Sequence, residues 1–306
     1  MKLARFWIRQ PGEATDSSGQ RVRVTSRGWS NESMEAAAAV AREMARKVAE
    51  RVASGQPKAK QYGYGDRPLP EPVIQELRDE SGAANGVITR NAYGALVMNT
   101  RDLMFVDIDR EGSASPAAVT GQDVVQDIAN ELVSGLSSLF GKPAPPTPAP
   151  ALQRPAADGV VTEIQRVAAR NNLSVRIYKT AAGYRALIFN LRFDPTSAQT
   201  EALLREFGSD ALYIRLCKMQ ESFRARLTPK PWRLGMSQPP VSFPFEGPNE
   251  EARFYEWVGK YTAASQRYAT CRFVAGFGAG PIDAGLQPLI AYHDQETKVG
   301  STLPLA

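Results

Sequence analysis

The amino-acid sequence predicts an α+β protein, with mixed or antiparallel sheets packed by helices. Three observations lead there. Strand-length runs come in neighbouring pairs joined by short turns, as in GVITRNAY and GALVMNT hinged at Gly94, which is hairpin patterning. Runs with apolar residues every three to four positions stand between those pairs and read as helices. The run LMFV at 103 to 106 is apolar without interruption, as in a strand covered on both faces.

Each element has its own warrant. KLARFWI (2 to 8) and QRVRVTSR (20 to 27) read as an opening hairpin, with turn chemistry in PGEATDSSGQ. A helix is expected over 31 to 53, rich in Ala, Met, Arg and Glu and closed by Gly55 and Pro57. Its small-residue face implies close packing onto a sheet. Residues 56 to 72 read as a surface loop, in which Lys60, Tyr62, Tyr64 and Arg67 offer stacking and phosphate contacts or simply pin the loop. PVIQELRDE reads as a short helix with Pro at its first turn. The paired strands around Gly94 follow, then LMFVDID as a third strand. A second helix is expected over 121 to 140, with Val125, Ile128, Leu132, Leu136 and Leu139 as its apolar stripe.

Residues 141 to 158 are Pro/Ala-rich and read as a stiff, extended linker or insertion. They leave two organisations open: an N-terminal lobe, 1 to 140, and a basic C-terminal lobe, 159 to 306, or one fold that the stretch interrupts. Beyond it come a helix at 158 to 172, strands LSVRIYKT and YRALIFNL meeting at AAG, and helices in SAQTEALLREFGSD and ALYIRLCKMQESF. NEEARFYEWVGKYTAASQRYA is a helix with Phe254, Trp257, Val258 and Tyr261 on one face. CRFVAGFGAG and LQPLIAYHD read as strands, and the tail KVGSTLPLA as tucked against the body.

Composition excludes several classes. The chain has 306 residues, 43% hydrophobic and 23% charged, which are globular values. Two distant cysteines and one histidine rule out a structural zinc cage and any mechanism needing two histidines. No run approaches the ~20 apolar residues of a membrane helix, and no secretory leader is visible, so a cytoplasmic protein away from membranes is expected. The net charge of +5 is compatible with nucleotides or nucleic acid as partners. Over residues 176 to 233 there are eleven basic and five acidic side chains, a net of +6, so this segment carries the whole positive balance.

Three features carry chemistry. Asp107 and Asp109 are two apart on a strand and so project from one face. Paired carboxylates repel, and Mg²⁺ or Mn²⁺ between them relieves the repulsion. The plain alternative is that Asp109 caps a loop and Asp107 pairs with a nearby Arg. Arg224, Arg226, Lys230 and Arg233, with Phe223 and Trp232 among them, suit a nucleic-acid backbone or a triphosphate, or else form a solvated basic face. His293 with Asp294, at the end of the last expected strand, could complete or assist the site: His293 as an acid–base group, Asp294 as a further metal ligand.

The segment MFVDID resembles the hydrophobic–Asp–hydrophobic–Asp motif of archaeo-eukaryotic primases and primase-polymerases. VRIYKTAAGYRALIF is similar to the strand–turn–strand element around that family's second motif. The resemblance covers residues 87 to 200. It implies that Asp107 and Asp109 hold catalytic divalent metals and that Lys179, Thr180 and Arg185 border a nucleotide. It also departs from the family pattern. The family's second motif carries a histidine after its glycine, where this chain has Tyr184 and Arg185. Asp194 and Asp294 are both candidates for the third acid. The DxD is also similar to that of haloacid-dehalogenase-like phosphatases, but DIDRE continues differently and sits late in the chain. The expectation is metal-dependent nucleotide or nucleic-acid phosphate chemistry. The alternatives are a non-catalytic nucleic-acid-binding or accessory protein, and a structural protein whose acids are paired with its own arginines.

Overall fold

The computed structural model describes residues 1–55, 67–79, 82–109 and 157–306, with side chains from 159 onward in the last span. The expected helix at 121 to 140, nearly all of the Pro/Ala stretch, and Lys60, Tyr62 and Tyr64 lie outside the described residues. Among the described residues are ten strands in three sheets, every strand pair antiparallel, and six α-helices: an α+β architecture.

The first sheet is the opening hairpin, β1 (Phe6–Thr15) with β2 (Arg21–Ser30). The strands run further than expected, because the turn needs only Asp16–Gln20. There the Asp16 carboxylate accepts from the Ser18 and Gln20 amides. Helix α1 (Met34–Ala53) starts at Ser33, whose Oγ accepts from the Ala36 amide at 3.1 Å. It packs on the hairpin through fully buried Ala37 and Ala41. Gly28 of β2 makes this possible: a Cβ there would stand 2.0 Å from the Ala37 carbonyl. The small-residue face of α1 therefore meets a strand backbone directly.

The second sheet has the order β3-β4-β5-β9, from β3 (Val73–Arg78), β4 (Ala84–Arg90), β5 (Leu96–Thr100) and β9 (Phe223–Arg226). The expected helix in PVIQELRDE is corrected here: its Val73–Arg78 form β3. Pro72 lies just before an edge strand, where its missing N–H costs no ladder bond, and pairing with β4 outweighs the helix-start signal. Strand β9 was legible only as part of the basic segment.

The third sheet has the order β10-β7-β8-β6, from β6 (Phe105–Asp109), β7 (Val175–Thr180), β8 (Gly183–Ile188) and β10 (Cys271–Phe277). The larger sheets thus each draw strands from both sides of residues 141–158: β6 pairs with β8, and β9 with β5. Strand pairing follows one interrupted fold, and the division into lobes 1 to 140 and 159 to 306 does not follow it. Helices α2 (Ala157–Arg170), α3 (Ala198–Glu206), α4 (Ala211–Gln220), α5 (Pro248–Ser265) and α6 (Gln287–Glu296) complete the described elements.

Helix α6 is the second correction, since LQPLIAYHD was expected to be a strand. Pro288 sits in its first turn, and Leu289, Ile290 and His293 share the buried face at helical spacing. The short run LIAY is ambiguous between the two periodicities. One core joins α2, α3, α4 and α6 to both larger sheets, with Phe105, Tyr178, Leu187, Ile88, Met98 and Phe223 fully buried. Full burial of such side chains stabilises by about 1.5–3 kcal/mol each. The tail is tied down by an Ala269–Leu305 bridge.

Candidate functional site

The acid pair stands on β6, an edge strand. Its inner side pairs with β8, placing Arg185 opposite Asp107 and Gly183 opposite Asp109. The absence of a side chain at Gly183 lets β6 approach, since a Cβ there would sit 2.0 Å from the Ile108 carbonyl. The outer side is covered by the start of α4. Ser209 Oγ and the Asp210 amide both donate to the Asp107 carbonyl, and Tyr213 donates its hydroxyl to the Phe105 carbonyl at 3.0 Å. Strand β6 is thereby fixed on both edges, and Phe105, Asp107 and Asp109 share a face.

That face opens into a cavity of about 580 Å³ between the two larger sheets. From one side come Asp107, Asp109, Thr180 and Arg185. From the other come Arg224 and Arg226 of β9, then Lys230 and Arg233 beyond it. Eight side chains separated by up to 126 positions, from Asp107 to Arg233, thus meet in one place. Sequence reasoning missed Arg27 of the hairpin, Tyr93 of the β4–β5 turn and Phe243 of the Pro-rich loop, which also line it. An aromatic residue in a turn that otherwise needs only Gly and Asn was the available signal for Tyr93.

The cations are not equivalent. Arg224 is consumed by structure: its Nη2 donates to both Glu71 oxygens at 2.7 and 3.0 Å, and both residues are buried. Thr89 donates to the same carboxylate, and Asn99 accepts from Arg224. Arg226, Lys230 and Arg233 are different. Arg226 donates to the Thr228 carbonyl, Lys230 lies over the Trp232 ring at 5.3 Å, and Arg233 Nη1 is buried without a hydrogen-bond partner. Among the described residues none of the three is in an ion pair with a carboxylate. Burial, then Arg226 and Arg233, pull the Lys230 pKa down to about 8. Burial, then Arg226, lowers that of Arg233.

The acids show the complementary strain. Asp109 lies at the exposed end of the strand, yet partial burial, then neighbouring Asp107, raises its pKa, which Lys230 only partly offsets. Asp107 faces Arg185, Oδ1 to Nε 3.5 Å. Burial opposes the Arg185 charge, but Cys271 and Asp107 outweigh it and its pKa is raised. The Thr180 hydroxyl closes the β7–β8 turn by accepting from the Ala182 and Gly183 amides. Lys179 does not line the cavity, and its ammonium lies over the Tyr184 ring at 5.4 Å.

His293 and Asp294 do not line the cavity either. His293 is fully buried on α6, and burial brings its pKa down to about 4. Asp294 is held by Arg176 at 2.6 Å and Tyr178 at 2.8 Å. The expectation that Asp294 adds a metal ligand beside Asp107 and Asp109, and that His293 meets substrate there, is corrected by this placement. The strand expected to deliver them is a helix, and it seats His293 in the core with Asp294 half-buried beside it. Asp194, the other third-acid candidate, is spent on the turn before α3, accepting from Thr196.

Two carboxylates on one strand face are an oxygen donor set suited to Mg²⁺ or Mn²⁺, which keep waters and take further oxygens from substrate phosphates. Among the described residues there is no group of three or more His, Cys, Asp or Glu side chains able to hold a metal. No helix of the described residues is long and apolar enough to cross a membrane. Comparison with family models, with curated proteins and with solved structures gives no match.

Proposed function

We propose that this cavity binds a polyphosphate, as a nucleoside triphosphate or a nucleic-acid end, with a divalent metal on Asp107 and Asp109, for nucleotidyl-transfer chemistry of the primase-polymerase kind. One observation carries the reading: Arg226, Lys230 and Arg233, which among the described residues form no ion pair with a carboxylate, face a carboxylate pair across one cavity. Like charges crowded together and only partly offset by the carboxylates opposite destabilise a fold, and a bound polyanion relieves that cost. The metal, when bound, supplies neutralisation and polarisation at phosphorus. The chain's own residues do the rest. Asp107 and Asp109 hold their oxygens on one face of a strand fixed at both edges. Arg226, Lys230 and Arg233 take phosphate oxygens and stabilise charge that spreads onto them. Tyr93 and Phe243 line the cavity and are aromatic residues there for a base to pack against.

The test is thermal melting with Mn²⁺, with adenosine triphosphate, and with both. For a ligand at about 100 times its Kd, stability rises by about 2.7 kcal/mol, a melting shift of a few degrees. The largest shift is expected with both together, falling to the nucleotide-only value in Asp107→Asn/Asp109→Asn. An unchanged response of that double variant would sink the metal reading. A second reading, nucleotide or nucleic-acid binding without catalysis, is favoured by the Asp107–Arg185 contact at 3.5 Å. It predicts binding that does not depend on metal.

A further inference from the structure

The one histidine of the chain is shut away from solvent, yet each ring nitrogen faces a charged group. The imidazole lies between Phe105 and Tyr178, with ring centroids 5.4 and 5.1 Å away. Nδ1 is 3.0 Å from Asp294 Oδ1, and Nε2 is 3.4 Å from Arg185 Nη1. A guanidinium can only donate and an ionised carboxylate can only accept. The proton therefore belongs on Nδ1, pointing at Asp294, and the lone pair on Nε2, pointing at Arg185. A doubly protonated ring would set Nε2–H against Nη1–H.

Both ends of this arrangement are fixed. Asp294 takes the Tyr178 hydroxyl and the Arg176 guanidinium, and Arg176 Nε also donates to the Tyr178 hydroxyl at 2.8 Å. Arg185 donates from Nη1 to the Arg226 carbonyl at 3.0 Å and turns Nε toward Asp107. A single path of polar contacts thus crosses the sheet face, from Arg176 on β7, through α6, to the acid pair on β6.

We propose that His293 is a positioning residue: as the neutral, Nδ1-protonated imidazole it accepts from Arg185 and fixes that guanidinium beside Asp107, with Asp294 fixing the ring. Its consequence for ligand binding rests on the metal–phosphate reading of the cavity; the tautomer and the Arg185 contact do not. The sequence singled out His293 as an acid–base group. Its work here is to aim the guanidinium that stands 3.5 Å from Asp107, much as outer partners orient metal-binding carboxylates.

Because the chain holds one histidine, long-range proton–nitrogen correlation on the full ¹⁵N-labelled chain reads its tautomer without ambiguity. The expected result at neutral pH is a protonated Nδ1 and a bare Nε2, with the Nε2 resonance moving in Arg185→Met. The opposite tautomer, an imidazolium, or an Nε2 resonance indifferent to Arg185→Met overturns the proposal. The second arm measures binding of Mn²⁺ with adenosine triphosphate. His293→Leu should weaken it about tenfold. His293→Gln, whose Oε1 can accept from Arg185, should recover most of the loss at the same melting temperature. A Leu variant that binds like wild type, or a Gln variant no better than a folded Leu variant, overturns the proposal. Wild-type protein that binds neither ligand overturns the cavity reading instead, and the tautomer arm still decides the Arg185 contact.

Discussion

Lys230 is the sharpest place to test whether the cavity is an unneutralised cationic site. Lys230→Met keeps most of the aliphatic stem over Trp232 and removes the charge. The Lys230 pKa falls from the ordinary 10.5 to about 8, chiefly through burial and then through Arg226 and Arg233. At about 1.36 kcal/mol per pH unit, that difference sets a ceiling of about 3.4 kcal/mol on the cost of the charge. Solvent at the cavity mouth screens part of it, and the Trp232 face returns about 0.5–1 kcal/mol, so the expected gain is about 1–2 kcal/mol. The sign follows from linkage. The folded state disfavours the proton, so the cost is fully present below about pH 8 and is released as pH rises toward 10.5. Urea unfolding of both proteins from pH 6 to pH 10.5 reads this directly. The variant should be the more stable at pH 7, and its advantage should shrink to near zero at the alkaline end. An advantage that does not change with pH, or a variant less stable at pH 7, refutes the reasoning. The same substitution should also lower the stabilisation that adenosine triphosphate confers.

Other perturbations probe the frame of the site. Arg224→Met strands the buried Glu71 carboxylate and should cost about 3–5 kcal/mol by urea unfolding, with Glu71→Gln restoring part of it in the double variant. Gly183→Ala drives a methyl into the Ile108 carbonyl and should cost about 2–4 kcal/mol while weakening Mn²⁺-dependent melting shifts, because β6 must move. Ser33→Ala removes the α1 cap and should cost about 1 kcal/mol with no effect on ligand shifts, a control for local destabilisation.

Much of this was legible in the sequence for identifiable reasons. Hairpins declare themselves through alternation and turn residues, so β1–β2, β4–β5 and β7–β8 could be read locally. The acid pair could be read because a period of two on a strand fixes its facing. What could not be read depends on distant partners. Arg224 and Arg226 are two apart on β9 and look alike in sequence. Only the arrival of Glu71, 153 positions away, makes one a structural ion-pair member and leaves the other to the cavity. PVIQELRDE and LQPLIAYHD are short, Pro-led and moderately apolar. Their conformations are decided by what they pack on: a sheet edge for the first, a sheet face for the second. His293 was conspicuous as a lone histidine, but its role turns on which neighbour claims each ring nitrogen, and a linear sequence does not contain that.

The interleaving of strands has a consequence for how the molecule comes into being. Asn99 of β5 finds Arg224 of β9, 125 positions further along the chain, so the sheet that carries the cationic wall stays incomplete until most of the chain has been synthesised. Closing such a long loop costs only about 0.6 kcal/mol more for each doubling of its length, but it slows the search. A chain severed between Asp109 and Ala157 would yield two pieces, each holding an unfilled strand position that the other supplies. Neither piece should build the cavity alone. Mixed, they should reassemble it, so that recovery of nucleotide-dependent melting would mark the moment at which the two halves knit.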